Sequence, residues 1–355
     1  MSKRLPLSKQ SPVRDFYQVT VAAVIRETGD ASSFVLDVPP SLTAAFAYRP
    51  GQFVTVRVPS DRTGSVARCY SLCSSPHAEE PPAITVKRTA GGYASNWLMD
   101  TVTAGTVLDL LPPAGTFCPE SLDGDFLLFA AGSGVTPVMS ILKSVLAAGR
   151  GRVALVYANR DEQSVIFAAE LRRLAAAAAG RPVVLHWLDS VQGIPVAAGI
   201  AALVRPYAAW EPYVCGPDLY LAAVRTALGQ LGVPAKRVRA ERFLSLAENP
   251  FDEPPLDEAL TAGGRQAATL SVELDGTATA LPWPPGTRML DVLISAGLAA
   301  PYSCRQGICG ACACLLVAGD VEMAHNEVLE AADLADGYVL ACQALALTPE
   351  VRVAY

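Results

Sequence analysis

The chain is poor in the side chains that carry proton chemistry, and it lacks the features that place a protein in a membrane or on nucleic acid. Only three histidines occur in 355 residues. His77 falls in a loop, His186 lies in a strand-like run where a core position is the simplest reading, and His325 precedes a helix start. Their spacing suggests no serine–histidine–aspartate set, and no carboxylate pair stands out. Charged residues make up 17% of the chain and the net charge is −6, so the positive excess with which nucleic-acid binding begins is missing. No apolar run approaches the roughly 20 residues of a membrane span. The longest, at 126–131 and 135–139, are broken by glycine, serine or proline. The N-terminal stretch has no apolar core of the secretory kind. We expect a cytoplasmic protein with no nucleic-acid partner and no membrane span. Hydrophobic residues at 51% exclude a disordered chain, and no internal repeat is visible.

Cysteine is what the chain has instead. Nine cannot all pair within one chain, and 355 residues is far too long for a small disulfide-stapled scaffold. The count points to a reducing compartment and to metal or thiol chemistry. At roughly 100–200 residues per domain, the length predicts two or three domains. Residues 14–120 hold short alternating runs at 18–25, 33–38, 53–58, 83–87 and 107–111, bounded by turn residues, which predicts an antiparallel β-barrel or sandwich. Residues 121–243 alternate apolar strands (126–131, 153–157, 183–188, 212–215) with helical patterns at 170–179 and 219–231, which predicts a doubly wound parallel α/β sheet. Thr136, with Pro137 after it, is expected to N-cap the helix after the first of these strands. Residues 244–267, with three prolines and no periodic apolar face, read as a linker. Residues 268–355 open on a hairpin around Asp275-Gly276, continue with a helix capped by Thr287 and ended by Gly297, and then hold the cysteine cluster. This last segment carries ten acidic and three basic residues, a net −7 that leaves the first 267 residues at +1.

Four strings carry chemistry. Cys304-x4-Cys309-x2-Cys312, with Cys342 distant, has the plant-type [2Fe–2S] spacing. A zinc site is the competing reading, although structural zinc sites usually pair two short knuckles. Cys314 reads as a buried thiol or a fifth ligand. Arg68-Cys69-Tyr70-Ser71-Leu72 offers an arginine for a phosphate, a tyrosine for a flavin ring and a hydroxyl for flavin N5; a plain surface turn is the alternative. Gly91-Gly92-Tyr93-Ala94-Ser95 opens a helix, and helix N-terminal N–H groups suit a pyrophosphate. Gly132-Ser133-Gly134-Val135-Thr136 joins a strand to a helix with the logic, though not the spacing, of a dinucleotide fingerprint. Cys215-Gly216-Pro217 and Asn159-Arg160-Asp161 end later strands, where α/β sheets place ligands. Asp161 favours NADH over NADPH and Arg160 pulls the other way. Ser71 and Cys215 lie beside any hydride path, unless they are merely a turn hydroxyl and a buried thiol.

Together these strings resemble the reductase components of bacterial oxygenases, within the ferredoxin–NADP reductase superfamily, over almost the whole chain. Residues 67–76, 86–98, 130–140 and 157–167 and the cysteine region look closest to the reductases of steroid-ring hydroxylases, with acyl-CoA epoxidase reductases more distant. The resemblance implies a flavin β-barrel, a nicotinamide α/β domain and a β-grasp plant-type ferredoxin domain, in a monomer. It implies FAD, NADH and a [2Fe–2S] cluster, with electrons passing in that order to a terminal, Rieske-type oxygenase. It implies flavin contacts at Arg68, Tyr70, Ser71, Leu72, Val86, Lys87, Gly92 and Ser95. It places Gly132, Gly134, Thr136, Asn159, Arg160, Asp161, Cys215, Gly216 and Pro217 near the nicotinamide nucleotide, and Glu241 and Phe243 near the flavin edge. Ser71, Cys215 and Glu241 become the candidate catalytic residues, and Cys304, Cys309, Cys312 and Cys342 the cluster ligands. A reductase of another oxygenase type, a redox sensor without turnover, and a carrier ferredoxin fused to an inert domain stand as alternatives.

Overall fold

Runs of alternating apolar residues, closed off by Gly, Pro and Asp, build the first third of the chain into strands. The computed structural model describes residues 16–252 and 267–355, apart from Ala179, Ala247, Asp275 and Glu330. The N-terminal stretch, most of the expected linker and Asp275 of the expected hairpin lie outside the described residues. Strands β1 (Tyr17–Arg26), β2 (Ala31–Asp37), β3 (Phe53–Ser60), β4 (Gly64–Ser71), β5 (Ala83–Lys87) and, after helix α1 (Tyr93–Thr101), β6 (Val107–Ala114) form one sheet in the order β4-β3-β6-β1-β2-β5. Leu72 bridges Ile84, which brings the two edge strands together and closes the sheet toward a barrel. Val54, Val56, Leu36, Leu110 and Ile84 fill its interior.

The next segment alternates strand and helix: β7 (Phe126–Ala131), α2 (Val135–Ala148), β8 (Val153–Asn159), α3 (Ala168–Ala177), β9 (Pro182–Leu188), α4 (Asp189–Gln192), α5 (Ala197–Val204), β10 (Glu211–Cys215), α6 (Asp218–Gln230) and β11 (Arg239–Glu241). All the pairings in the order β11-β10-β7-β8-β9 are parallel. Every residue of β8 is buried, as expected of a strand covered on both faces. One face packs on α2 through Phe126, Leu128 and Tyr157, the other on α5 and α6 through Leu127, Phe129 and Val156.

Barrel and parallel sheet belong to one compact unit, Gln18–Asn249. Polar groups along α2 join them. Ser140 donates to the Ser74 carbonyl at 2.6 Å, the Ser75 and Ser144 hydroxyls lie 2.8 Å apart, and buried Lys143 meets Glu80 at 2.9 Å and Glu170 at 3.4 Å.

Pro250–Tyr355 is the body of a second unit. Strands β12 (Ala268–Leu274), β13 (Thr277–Trp283), β14 (Ala313–Ala318), β16 (Tyr338–Leu340) and β18 (Glu350–Ala354) pair as β13-β12-β18-β14-β16. Helix α7 (Met289–Ser295) lies across this sheet in the β-grasp manner, α8 (Ala331–Ala335) precedes β16, and β15 (Val321–Met323) pairs with β17 (Ala344–Ala346). Met289, Leu290 and Leu293 of α7 pack with Leu270, Trp283 and Val353.

Several local expectations give way. Gly134, not Thr136, is the N-cap of α2, and Thr136 instead donates from inside the first turn to the Ser133 carbonyl at 3.1 Å. The helix starts early because a tight turn over Gly132–Gly134 already brings the chain into helical geometry. Arg288, not Thr287, caps α7. His186 is exposed on β9 rather than in the core, since β9 is an edge strand. Strands β4 and β11 and helix α5 went unmarked by periodicity.

Candidate active site and iron–sulfur loop

Three strand ends meet where the barrel abuts the carboxyl edge of the parallel sheet. Ser71 ends β4, Cys215 ends β10, and Glu241 ends β11, in direct register with Cys215. Ser71 is buried, and its hydroxyl lies close enough to the Glu241 carboxyl to act on its charge. The carboxyl oxygen Oε2 is inaccessible and unpartnered. Burial pushes the Glu241 carboxyl up to about 8, against the lowering effect of the Ser71 hydroxyl. Cys215 is fully buried, and burial together with the neighbouring carboxylate raises its thiol well above the ordinary range. The structure thus gathers the three candidate catalytic residues into one cluster of neutral, proton-bearing groups. A raised carboxyl pKa means that the folded chain binds a proton the unfolded chain has lost, so stability falls as pH rises from about 4.5 to about 8. Glu241→Gln should remove that slope. In melting curves between about pH 5 and pH 9, the variant should gain on the parent steadily as pH rises; parallel curves would refute the protonated state.

Around this cluster the flavin candidates divide. Arg68 and Tyr70 are half-buried near the end of β4. Gly92 is the N-cap of α1, whose first N–H groups have no side-chain cap, and a Cβ on it would lie 2.9 Å from Thr89 Cβ. The Ser95 hydroxyl accepts from the Thr89 N–H at 3.0 Å and fixes that turn. An uncapped N-terminus beside a close-packed glycine fits a pyrophosphate. Leu72 and Val86, by contrast, sit in the barrel core with 1% and 0% exposure, and present no side-chain surface to a ligand. Phe243 stands 47% exposed two residues past β11.

The nucleotide candidates line the carboxyl ends of β7, β8 and β10. Gly132 has φ +52°, which favours glycine. Gly134 packs against β10, where a Cβ would lie 2.2 Å from the Cys215 carbonyl oxygen. Thr136 is buried, Gly216 is wedged against Ala131 and Tyr220, and Pro217 caps α6. Asn159 is buried with both amide atoms unpartnered, an orphan of the kind that a ligand satisfies. Arg160 and Asp161 follow it, and Lys87 comes to the same place, near Gly132. Asp30, which ion-pairs with both Lys87 and Arg160, escaped the sequence reading because it sits in an ordinary turn with no motif around it.

In the second unit, Cys304, Cys309 and Cys312 lie in the loop before β14 and Cys342 just after β16, all buried. The thiols influence one another most strongly in two pairs, Cys304 with Cys309 and Cys312 with Cys342. Two pairs match a two-iron cluster, in which each iron takes two thiolates, whereas one zinc would draw four to a point. Donors face the sulfurs: Gln306 N–H to Cys304 at 3.3 Å, Cys342 N–H to Cys312 at 3.5 Å, and the Gln343 amide to Cys342 at 3.6 Å. The Cys309 side chain and the backbone N–H groups of Gln306, Ile308 and Cys309 hold the Cys304 thiol below its usual range. Arg305, at φ +57°, ties the loop to α7 through Asp291 at 2.6 Å and to the Asp252 carbonyl at 3.0 Å. Cys314 is a buried thiol on β14, pushed up to about 12 by burial. The Arg305 clamp and Gln343 were not singled out in sequence, where nothing but neighbourhood to the cysteines marked them.

Family models match in the same order. An oxidoreductase FAD-binding domain covers residues 18–118, an oxidoreductase NAD-binding domain 128–225 and a 2Fe-2S iron-sulfur cluster binding domain 272–347. The chain is thus an oxidoreductase of the ferredoxin reductase type, with FAD-, NAD- and [2Fe–2S]-binding domains. Similar curated proteins are the ferredoxin reductase components of 3-ketosteroid-9-alpha-monooxygenase from Rhodococcus rhodochrous (52% identity, covering 95% of this chain and 96% of that protein) and Mycobacterium tuberculosis (52%, covering 95% of each). A component of the 1,2-phenylacetyl-CoA epoxidase of Escherichia coli is 32% identical, over 95% of this chain and 97% of that protein. Among solved structures, phthalate dioxygenase reductase shares the fold, with a TM-score of 0.56 at 24% identity, covering 98% of this chain and all of that one. The chain belongs to the family of the 3-ketosteroid-9-alpha-monooxygenase ferredoxin reductase components. Among the described residues no helix is long and apolar enough to cross a membrane.

Proposed function

We propose that this chain oxidises NADH and passes the electrons to the terminal oxygenase of a 3-ketosteroid 9α-monooxygenase, a Rieske-type partner. The observation that carries the reading is the Ser71–Glu241–Cys215 cluster at the junction of an FAD-binding barrel and an NAD-binding sheet. The 52% identity to steroid monooxygenase reductases supports the choice of partner. When bound, the flavin supplies conversion between two-electron and one-electron chemistry and the cluster a one-electron outlet. The chain's own residues do the rest. The N-terminus of α1, with Arg68, would hold the flavin's pyrophosphate, and Tyr70 its ring. The Gly132–Gly134 turn and Gly216 let backbone approach the nicotinamide nucleotide. Ser71 Oγ orients the Glu241 carboxyl, which burial keeps protonated at neutral pH. Cys215, also neutral, lines the cleft without adding charge. Cys304, Cys309, Cys312 and Cys342 would ligate the cluster. All nine cysteines are thiols rather than disulfides, which fits the reducing cytoplasm, and we place the protein there as a monomer.

Reconstitution tests this reading. The loaded protein, mixed with purified 3-ketosteroid 9α-monooxygenase oxygenase, should support NADH-driven steroid hydroxylation. The acidic cluster-bearing segment, net −7, should dock on a basic face, so turnover should drop several-fold between about 50 and about 500 mM salt. Turnover only with an acyl-CoA epoxidase oxygenase would reassign the partner, and a rate indifferent to salt would remove electrostatic docking.

A further inference from the structure

Arg160 is at odds with an NADH-using enzyme. It follows β8, at a strand end where α/β sheets hold the adenosine ribose. A guanidinium there suits the 2′-phosphate of NADPH, since arginine pairs strongly with phosphate.

The structure shows what opposes it. Asp30, in the turn between β1 and β2, reaches from the barrel to the sheet. Its Oδ2 lies 3.2 Å from Arg160 Nη2 and 3.8 Å from Lys87 Nζ. Thr28 Oγ1 donates to the other carboxylate oxygen at 2.8 Å, so the group is held in place. Arg160 also reaches Ser164 Oγ at 3.4 Å. Asp161, beside it, accepts from the Ser164 N–H at 2.9 Å and hydroxyl at 2.7 Å. Asn159, just before them, keeps its unpartnered amide at 5% exposure.

We infer that Asp30 sets coenzyme choice: it draws Arg160 onto the barrel and cancels its charge, so that a 2′-phosphate meets two carboxylates, Asp30 and Asp161, and no free guanidinium. Ribose hydroxyls are left to the Asn159 amide and Asp161. The inference rests on the NADH reading above and deepens it, because it assigns the discrimination partly to the FAD-binding barrel.

Asp30→Asn preserves shape and removes the charge. In the flavin-loaded holoenzyme with ferricyanide as acceptor, the ratio of kcat/KM for NADPH to that for NADH should rise about tenfold, the scale of one charge-assisted phosphate contact. The gain should vanish in the double variant Asp30→Asn with Arg160→Gln. As competitive inhibitors against NADH, 2′-phospho-AMP should bind D30N more tightly than it binds the parent, while 5′-AMP should not. Asp30→Ser carries the same test if D30N loses its flavin. An unchanged ratio, or a rise that survives removal of Arg160, overturns the role of Asp30; a purely structural bridge would impair both coenzymes together. A parent enzyme that already prefers NADPH overturns the NADH reading, and the role of Asp30 with it.

Discussion

Replacing Cys304 with serine should cut NADH-driven electron delivery to the oxygenase about 100-fold or more, while NADH-driven reduction of ferricyanide stays near the parental rate. Serine is a far weaker iron ligand than thiolate, and the neighbouring Cys309 and loop N–H groups favour this sulfur as the anion. Its loss also breaks the pair with Cys309. The ferricyanide reaction should survive because the barrel and parallel sheet form a compact unit of their own, Gln18–Asn249. Cys312, Cys314 and Cys342 belong to the hydrophobic core of the other unit, so cluster loss should loosen that core as well. Iron content, visible absorbance and oxygenase-coupled turnover read the result. Parental oxygenase turnover in an iron-depleted variant would show that the cluster is not the exit.

The second large effect is expected from a single added methyl. Gly134→Ala should lower kcat/KM for NADH about 50-fold or more with the flavin still bound, on the scale of small displacements at a reacting centre. Gly134 has an ordinary φ of −61°, so backbone strain is not the cause; space is. An added Cβ would lie 2.2 Å from the Cys215 carbonyl oxygen, 2.6 Å from its carbon and 2.9 Å from Gly216 N. All three are backbone atoms of a strand end, which cannot rotate aside as a side chain would. The Gly132–Gly134 turn and β10 must therefore part, and both border the nucleotide site. Gly229→Ala in α6, where nothing lies within 4 Å, serves as the control and should leave activity and folding intact. Parental NADH kinetics in Gly134→Ala would show that the close packing of turn and strand is dispensable.

How far the sequence reached depends on the range of each signal. The spacing of Cys304, Cys309 and Cys312 is local, and it brought out the cluster loop, with Cys342 thirty residues on. The parallel sheet was legible because β7, β8 and β10 are continuous apolar runs. Strand β11 has three residues, too few for any period, so Glu241 entered only through family resemblance. Its raised pKa comes from burial between elements, which no local pattern records. Thr136 and Thr287 look like helix caps by residue type, yet in both cases backbone geometry put the cap elsewhere. Asp30 lies 130 residues from Arg160, and a contact at that separation leaves no mark in either neighbourhood.

The serines of α2 have a mechanical consequence. Two apolar faces can slide over one another at little cost, but Ser140 on the Ser74 carbonyl, Ser75 on Ser144, and Lys143 between Glu80 and Glu170 are directional contacts that resist shear. The barrel and the parallel sheet are therefore held in register by direction as well as by apolar burial, while Phe243, just past β11, stands exposed outside that set of contacts.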